Sequence, residues 1–218
     1  MAKQLTAARY QIKLPRMMAN NQSLPPAAVV IRSRVADFDT WLAAFDSHED
    51  ARRAAGILGH HINRAEDDPN DVSIFMALSD LEKAKAFSAS DDLRERMQAS
   101  GVISVPEITY MTPVRDAAVR DRELPAFMLR HSVADFDRWL EGYDGAAALQ
   151  SAEGILGQAA NRSIDDPSVA IVYHQAESFD TLRAFLANDQ LKAKMQEAGV
   201  ISAPDVQFVT GGWAKQYG

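Results

Sequence analysis

The chain predicts an α+β fold: two tandem ferredoxin-like βαββαβ units forming one intrachain pseudo-dimeric α/β barrel. Three observations carry this. A long segment recurs once at a fixed spacing, and each copy alternates strand and helix patterns in the order βαββαβ. One such sheet leaves a face uncovered, and a second copy can cover it. With 218 residues, 47% of them hydrophobic, there is material for one large core or two small ones.

The repeat is read directly. Val35-Ala36-Asp37-Phe38-Asp39 with Trp41-Leu42 returns as Val133-Ala134-Asp135-Phe136-Asp137 with Trp139-Leu140, about 98 residues on. Gly56-Ile57-Leu58-Gly59 returns as Gly154-Ile155-Leu156-Gly157, and Asn63-Arg64 as Asn161-Arg162. Gly101-Val102-Ile103-Ser104 returns as Gly199-Val200-Ile201-Ser202. The expected layout is an arm (1–26), repeat 1 (27–113), a linker (114–124), repeat 2 (125–210) and a tail (211–218). The linker is polar and spans up to ~36 Å when extended, enough to join two halves across a pseudo-twofold axis.

Within copy 1, Ala28-Val29-Val30-Ile31-Arg32 is β-branched and free of turn residues, hence a strand. Asp37 caps a helix whose Phe38, Trp41, Leu42 and Phe45 share one face, and Gly56 stops it. Two strands, from Ile57 and from Val72, meet at the Asp67-Asp68-Pro69-Asn70 turn. A second helix carries Leu81, Ala84, Phe87, Leu93 and Met97, is recapped at Ser90-Asp91, and ends at Gly101. Ile108 and Tyr110 alternate into the last strand. In the arm, Tyr10-Gln11-Ile12-Lys13-Leu14 reads as a short edge strand.

Composition excludes several classes. There are 23 Lys plus Arg against 30 Asp plus Glu, a net charge of −7, so neither nucleic acid nor an anionic membrane is expected as a partner. No apolar run approaches the ~20 residues of a membrane span, and no signal-peptide pattern is present, so a cytoplasmic location is expected. Cys is 0, which removes disulfides, thiolate metal sites and thiol nucleophiles. No dinucleotide or phosphate loop and no nucleophile elbow occurs.

The repeated Asp-Phe-Asp-x-Trp-Leu, together with Phe45-Asp46-Ser47-His48, the Asp-Asp-Pro turn, Phe87 to Met97 and Gly-Val-Ile-Ser-x-Pro, resembles the dimeric α/β-barrel superfamily. The match is to its cyclase-like and antibiotic-biosynthesis-monooxygenase-like members and covers residues 27–210. The resemblance implies ligands between sheet and helices, and chemistry ranging from cofactor-free oxygenation and polyketide cyclisation to haem degradation.

Continuing the stripe of the first helix reaches His48 and Arg52, either a ligand-facing pair or ends that reach solvent. As catalytic candidates, His48 is the general base and Arg52 the anchor for enolate or phenolate charge. His60 and His61 are strand neighbours and point to opposite faces, so only one faces the cleft. His131 and His174 occur only in copy 2, set against Ser33 and Ala77 of copy 1, and Tyr173 faces away from His174. Arg32 and Arg130, on a central strand, are expected to point inward and either pair with acids or bind an anion. Asn63-Arg64 and Asn161-Arg162 are read as sheet-end hydrogen-bonding groups or substrate contacts. Trp41 and Trp139 read as core, and Trp213 either closes a cleft or packs on the surface. Ligand-binding candidates are therefore His60, His61, Asn63, Arg32, His131 and Tyr173, with no metal site and no cofactor.

The expected partner is a small organic molecule, in a chain that is a monomer or a homodimer through outer surfaces. The leading function is cofactor-independent oxygenation or cyclisation in a helix–sheet cleft. The alternatives are a non-catalytic ligand-binding or stress-related protein and a haem-binding one. Copy 2 has Ala146, Gln150 and Ala159 where copy 1 has His48, Arg52 and His61, so the two clefts are expected to differ, with copy 1 retaining the chemistry.

Overall fold

The computed structural model describes residues 24–217; the arm strand at Tyr10 to Leu14 lies outside them. Copy 1 contains β1 (Ala27–Arg34), α1 (Phe38–Ser47), α2 (Glu49–Ala54), β2 (Ile57–Ala65), β3 (Asp71–Leu78), α3 (Leu81–Ser88), α4 (Asp91–Ala99) and β4 (Glu107–Asp116). Copy 2 repeats the order with β5 (Pro125–Ser132), α5 (Phe136–Gly145), α6 (Ala147–Ala152), β6 (Gly157–Ser163), β7 (Val169–Gln175), α7 (Phe179–Ala187), α8 (Asp189–Glu197) and β8 (Asp205–Gln216). The protein is α+β with two ferredoxin-like units in tandem. Among the described residues no helix is long and apolar enough to cross a membrane.

The chain divides into two compact units, and each takes a piece of strand from the other half of the sequence. The first is Pro25–Tyr110 with the residues from Gly211 onward; the second is Met111–Thr210. In the first unit β3 lies antiparallel between β1 and β2, with Ile74 opposite both Ile31 and Ile62. The late part of β8 runs beside β2, where the Tyr217 amide donates to the Leu58 carbonyl at 2.9 Å. In the second unit the order is β8-β5-β7-β6-β4, with residues 111–116 of β4 paired to β6.

Local chemistry sets the element ends as the sequence predicts. The Asp37 carboxylate accepts from the Thr40 amide at 2.8 Å, and Asp135 does the same for Arg138 at 2.8 Å. Gly101 has φ 86, a backbone shape that costs a side chain but not glycine. There the amides of Gly101 and Val102 donate to Gln98 and Met97 at 3.2 and 3.0 Å, closing the last turn of α4. In the second unit Phe127, Leu129, Phe136, Trp139, Val172, Leu182 and Phe185 form one buried cluster between helices and sheet.

Four expectations are corrected. The helix expected to run from Phe38 to Gly56 breaks at His48, whose backbone has φ −103 and ψ 21 and whose amide reaches back to Phe45 at 3.1 Å. Three-residue closure ends the first helix and starts a separate short one; copy 2 breaks at the matching Ala146. Arg32 does not point into a covered interior: its side chain is 38% exposed and bound to Asp71 at 2.6 Å. Arg130 is exposed, and its copy lacks that acid because Val169 stands where copy 1 has Asp71. Finally, the strand register sets His174 against Phe127 and Met76 against Val29. The spacing of 98 therefore equates His174 with Met76 and not with Ala77.

Candidate functional site

Each unit holds a cleft between its helices and its sheet, and the two are built from equivalent positions. The first, about 80 Å³ and open on one side, is lined at its floor by Val29, Ile31, Ser33, Ile74 and Met76. Trp41, Phe45, Phe87, Leu93 and Met97 close it from the helices, and His48, Arg52 and Arg96 supply the charge or basicity. Trp41 is buried, as read, and also serves as cleft wall.

Arg52 is the most constrained of these groups. It is only 3% exposed, and its guanidinium lies 3.7 Å over the Phe45 ring. Nε donates to the Tyr217 hydroxyl at 2.6 Å and Nη1 donates to the Phe45 carbonyl. Nη2 has no partner. No carboxylate contacts the guanidinium among the described residues: the nearby Glu49 is taken by Lys215 and Arg53. A buried cation without an acid is costly unless something anionic joins it.

Tyr217 ties Arg52 to His60, with 2.7 Å between its hydroxyl and His60 Nδ1. A phenol that accepts from Arg52 donates its own proton onward, so Nδ1 carries the lone pair and the proton sits on Nε2. The His60 ring meets the edge of Phe45, with 5.0 Å between ring centres. Burial, then the charge of Arg52, pushes its pKa down to about 3. His48 stands at the cleft mouth with Nε2 2.8 Å from Arg96 Nη1. Since a guanidinium only donates, His48 accepts there and is the neutral tautomer. Burial and the Arg96 and Arg52 charges hold its pKa below the usual value.

The second cleft, about 50 Å³, repeats the frame with Phe127, Leu129, Trp139, Tyr143, Phe185, Leu191 and Met195. Its polar positions differ: His131, His174 and Gln150 line it, with Lys194 at the place of Arg96. His131, His174 and Gln150 are all at most 4% exposed.

The remaining candidates fall outside both clefts. His61 is on the other face of β2, against Gly211, where an added Cβ would lie 2.4 Å from its Nε2. Asn63 shares that contact at 2.7 Å. Tyr173 faces away from His174 and lines neither cleft. Arg64 and Arg162 donate to the carbonyls of Pro69 and Pro167 at 2.6 and 2.9 Å, the sheet-end role read for them. Trp213 packs its edge on Phe38 at 4.9 Å. Sequence reasoning missed Tyr217 and Arg96. Only the register of β8 along β2 brings the first to Arg52, and only the second helix of the repeat carries the other to His48.

No protein-family model matches the chain, and no curated protein does. Solved structures do. An anthrone oxidase-like protein superposes with TM-score 0.66 at 11% identity, over 87% of this chain and 92% of its own. A monooxygenase-like protein from Fusobacterium nucleatum gives 0.62 at 10%, over 90% and 97%, and one from Lactobacillus acidophilus 0.60 at 13%, over 88% and 96%. The fold is that of the dimeric α/β barrel.

At these identities the likeness carries architecture and leaves the chemistry to the residues. The dimeric α/β-barrel frame places both clefts where the sequence resemblance implies. The two clefts hold about 80 and 50 Å³, less than a four-ring porphyrin occupies.

Proposed function

We propose that the first unit binds a small aromatic anion, its ring in the cleft and its negative oxygen at Arg52. The observation that carries this is the buried guanidinium with an open Nη2 and no contacting carboxylate, at the wall of an aromatic-lined cleft. A phenolate, enolate or carboxylate supplies the missing charge and accepts from Nη2. At about 80 Å³ the cleft admits a single ring once Met76 and Met97 rotate, which their unbranched side chains permit.

If the ligand is enolisable, the chemistry is cofactor-independent oxygenation. His48 Nε2 takes a proton from the acidic CH2, the enolate oxygen rests on Arg52, and dioxygen adds at carbon. Loss of water then leaves a carbonyl, so CH2 plus O2 becomes C=O plus H2O. Arg96 occupies the lone pair that His48 needs, so catalysis requires the ligand to displace it. Arg96 is exposed and its other contact, Asp92 at 2.8 Å, also lies at the surface. The anthrone oxidase-like neighbour supports testing this class of substrate first. The occupied lone pair favours the second reading, binding without catalysis.

Calorimetric titration with benzoate tests binding: Arg52→Met is expected to weaken it at least tenfold, and Arg52→Lys to restore only part. Unchanged affinity in Arg52→Met would overturn the assignment. Oxygen uptake with anthrone separates the two readings. Uptake lost in His48→Ala supports catalysis, and no uptake by the native protein leaves binding alone.

A further inference from the structure

The second cleft lacks the buried cation of the first and has neutral hydrogen-bonding groups deep inside. We infer that it is a second site, selective for an uncharged hydroxyl-bearing aromatic whose O–H donates to the imidazole of His131. This rests on residues of the second unit alone and stands whether or not the first binds an anion.

His131 replaces Ser33 on the cleft floor, is 3% exposed, and among the described residues has no partner on either ring nitrogen. Its ring stands edge-on to Trp139, with 5.6 Å between centres. An imidazole so placed offers one lone pair and one N–H to whatever enters. Burial holds it neutral, with a pKa near 4, so it gives an anion no charge to pair with. At the position of Arg52 stands Gln150, whose Oε1 is also buried without a partner. That acceptor repels an anionic oxygen and welcomes a donor. The one cation on the lining, Lys194, is exposed at the mouth.

His174 marks a second pole. It faces Phe127, four residues along β5 from His131, so about 13 Å separates the two and they cannot share one ligand atom. Tyr143, 3.4 Å from its Nε2, donates there weakly, since burial holds that phenol protonated. The tautomer leaves the proton on Nδ1, which has no partner among the described residues. Between the poles the wall is Leu129, Val172 and Trp139. The arrangement suits a single-ring aromatic with its O–H at the His131 end, admitted once the unbranched Met195 side chain rotates.

The probes are phenol, uncharged at pH 7, and benzoate, with the ring nitrogens of His131 and His174 followed by NMR. Phenol is expected to shift His131, and His131→Ser, which installs the residue of copy 1, to weaken phenol binding at least tenfold while leaving benzoate affinity unchanged. If His131→Ser fails to fold, His131→Gln, which keeps a donor and an acceptor, is expected to retain phenol. Three results would overturn the proposal: benzoate shifting His131 as strongly as phenol, phenol shifting nothing because water alone fills the cleft, or His131→Ser binding phenol as tightly as the native chain.

Discussion

The folded protein is expected to lose stability steeply between pH 6.5 and about 4, before most carboxylates protonate. Three buried imidazoles drive this: His60 and His174, with pKa values pushed down to about 3, and His131, pushed down to about 4. Removal from water is the leading cause in all three, and at His60 the charge of Arg52 adds to it. Above pH 6.5 these groups are neutral in folded and unfolded chains alike and contribute no slope. Below it the unfolded chain takes up protons that the folded chain refuses, so stability falls as pH falls. Each group contributes about 1.4 kcal/mol per pH unit inside its window. Urea midpoints at pH 7, 6 and 5 read the effect directly. Replacing His131 with Ser and His174 with Met, the copy 1 residues, is expected to flatten the curve markedly. A midpoint that stays level from pH 7 to 5 would show that the histidines are hydrated.

The second large effect is expected from Gly59→Ala. A Cβ at Gly59 would lie 2.7 Å from the Lys215 carbonyl oxygen and 3.2 Å from the Gln216 Cα. Both are backbone atoms, which cannot swing aside as a side-chain end would. Overpacking of this kind costs about 1–3 kcal/mol, and here it also pushes residues 215–217 off β2. Tyr217 then leaves Arg52 and His60, so benzoate binding in the first unit is expected to fall together with stability. Hydrogen exchange at the Tyr217 amide, which donates to Leu58 at 2.9 Å, reports the detachment. Native protection there, with stability changed by less than about 0.5 kcal/mol, would contradict it.

Architecture was legible in the residues because repetition and periodicity are local signals. Asp37, Gly56 and Gly101 mark helix ends through their own backbone chemistry, and Phe38, Trp41 and Phe45 mark a face by spacing alone. The site was legible only where it extends such a face, as with His48 and Arg52. Arg32 pairs with an acid, as one reading had it, but not in a covered interior: its partner Asp71 sits across the β1–β3 register, a placement no spacing along the chain announces. Tyr217 was invisible for the same reason at greater range. The copy 2 histidines read as scattered because the strand register, and not their spacing, puts both on one cleft floor.

The exchange of strand ends has a consequence for how the protein is made. The bond from Arg52 to Tyr217 joins residues 165 positions apart, and that from His60 to Tyr217 spans 157. A nascent chain that has just released β1 to α4 therefore exposes β2 with its outer edge unpaired, and Arg52 held only by Phe45. Nothing in the first unit can supply the missing strand until all of Met111–Thr210 has been synthesised. Contacts of such long range form late and slowly, and an open strand edge invites wrong pairing while it waits. Slow translation or a stalled ribosome in the second half thus threatens the first half, and the contacts of Tyr217 with Arg52 and His60 form only after the second unit has been made.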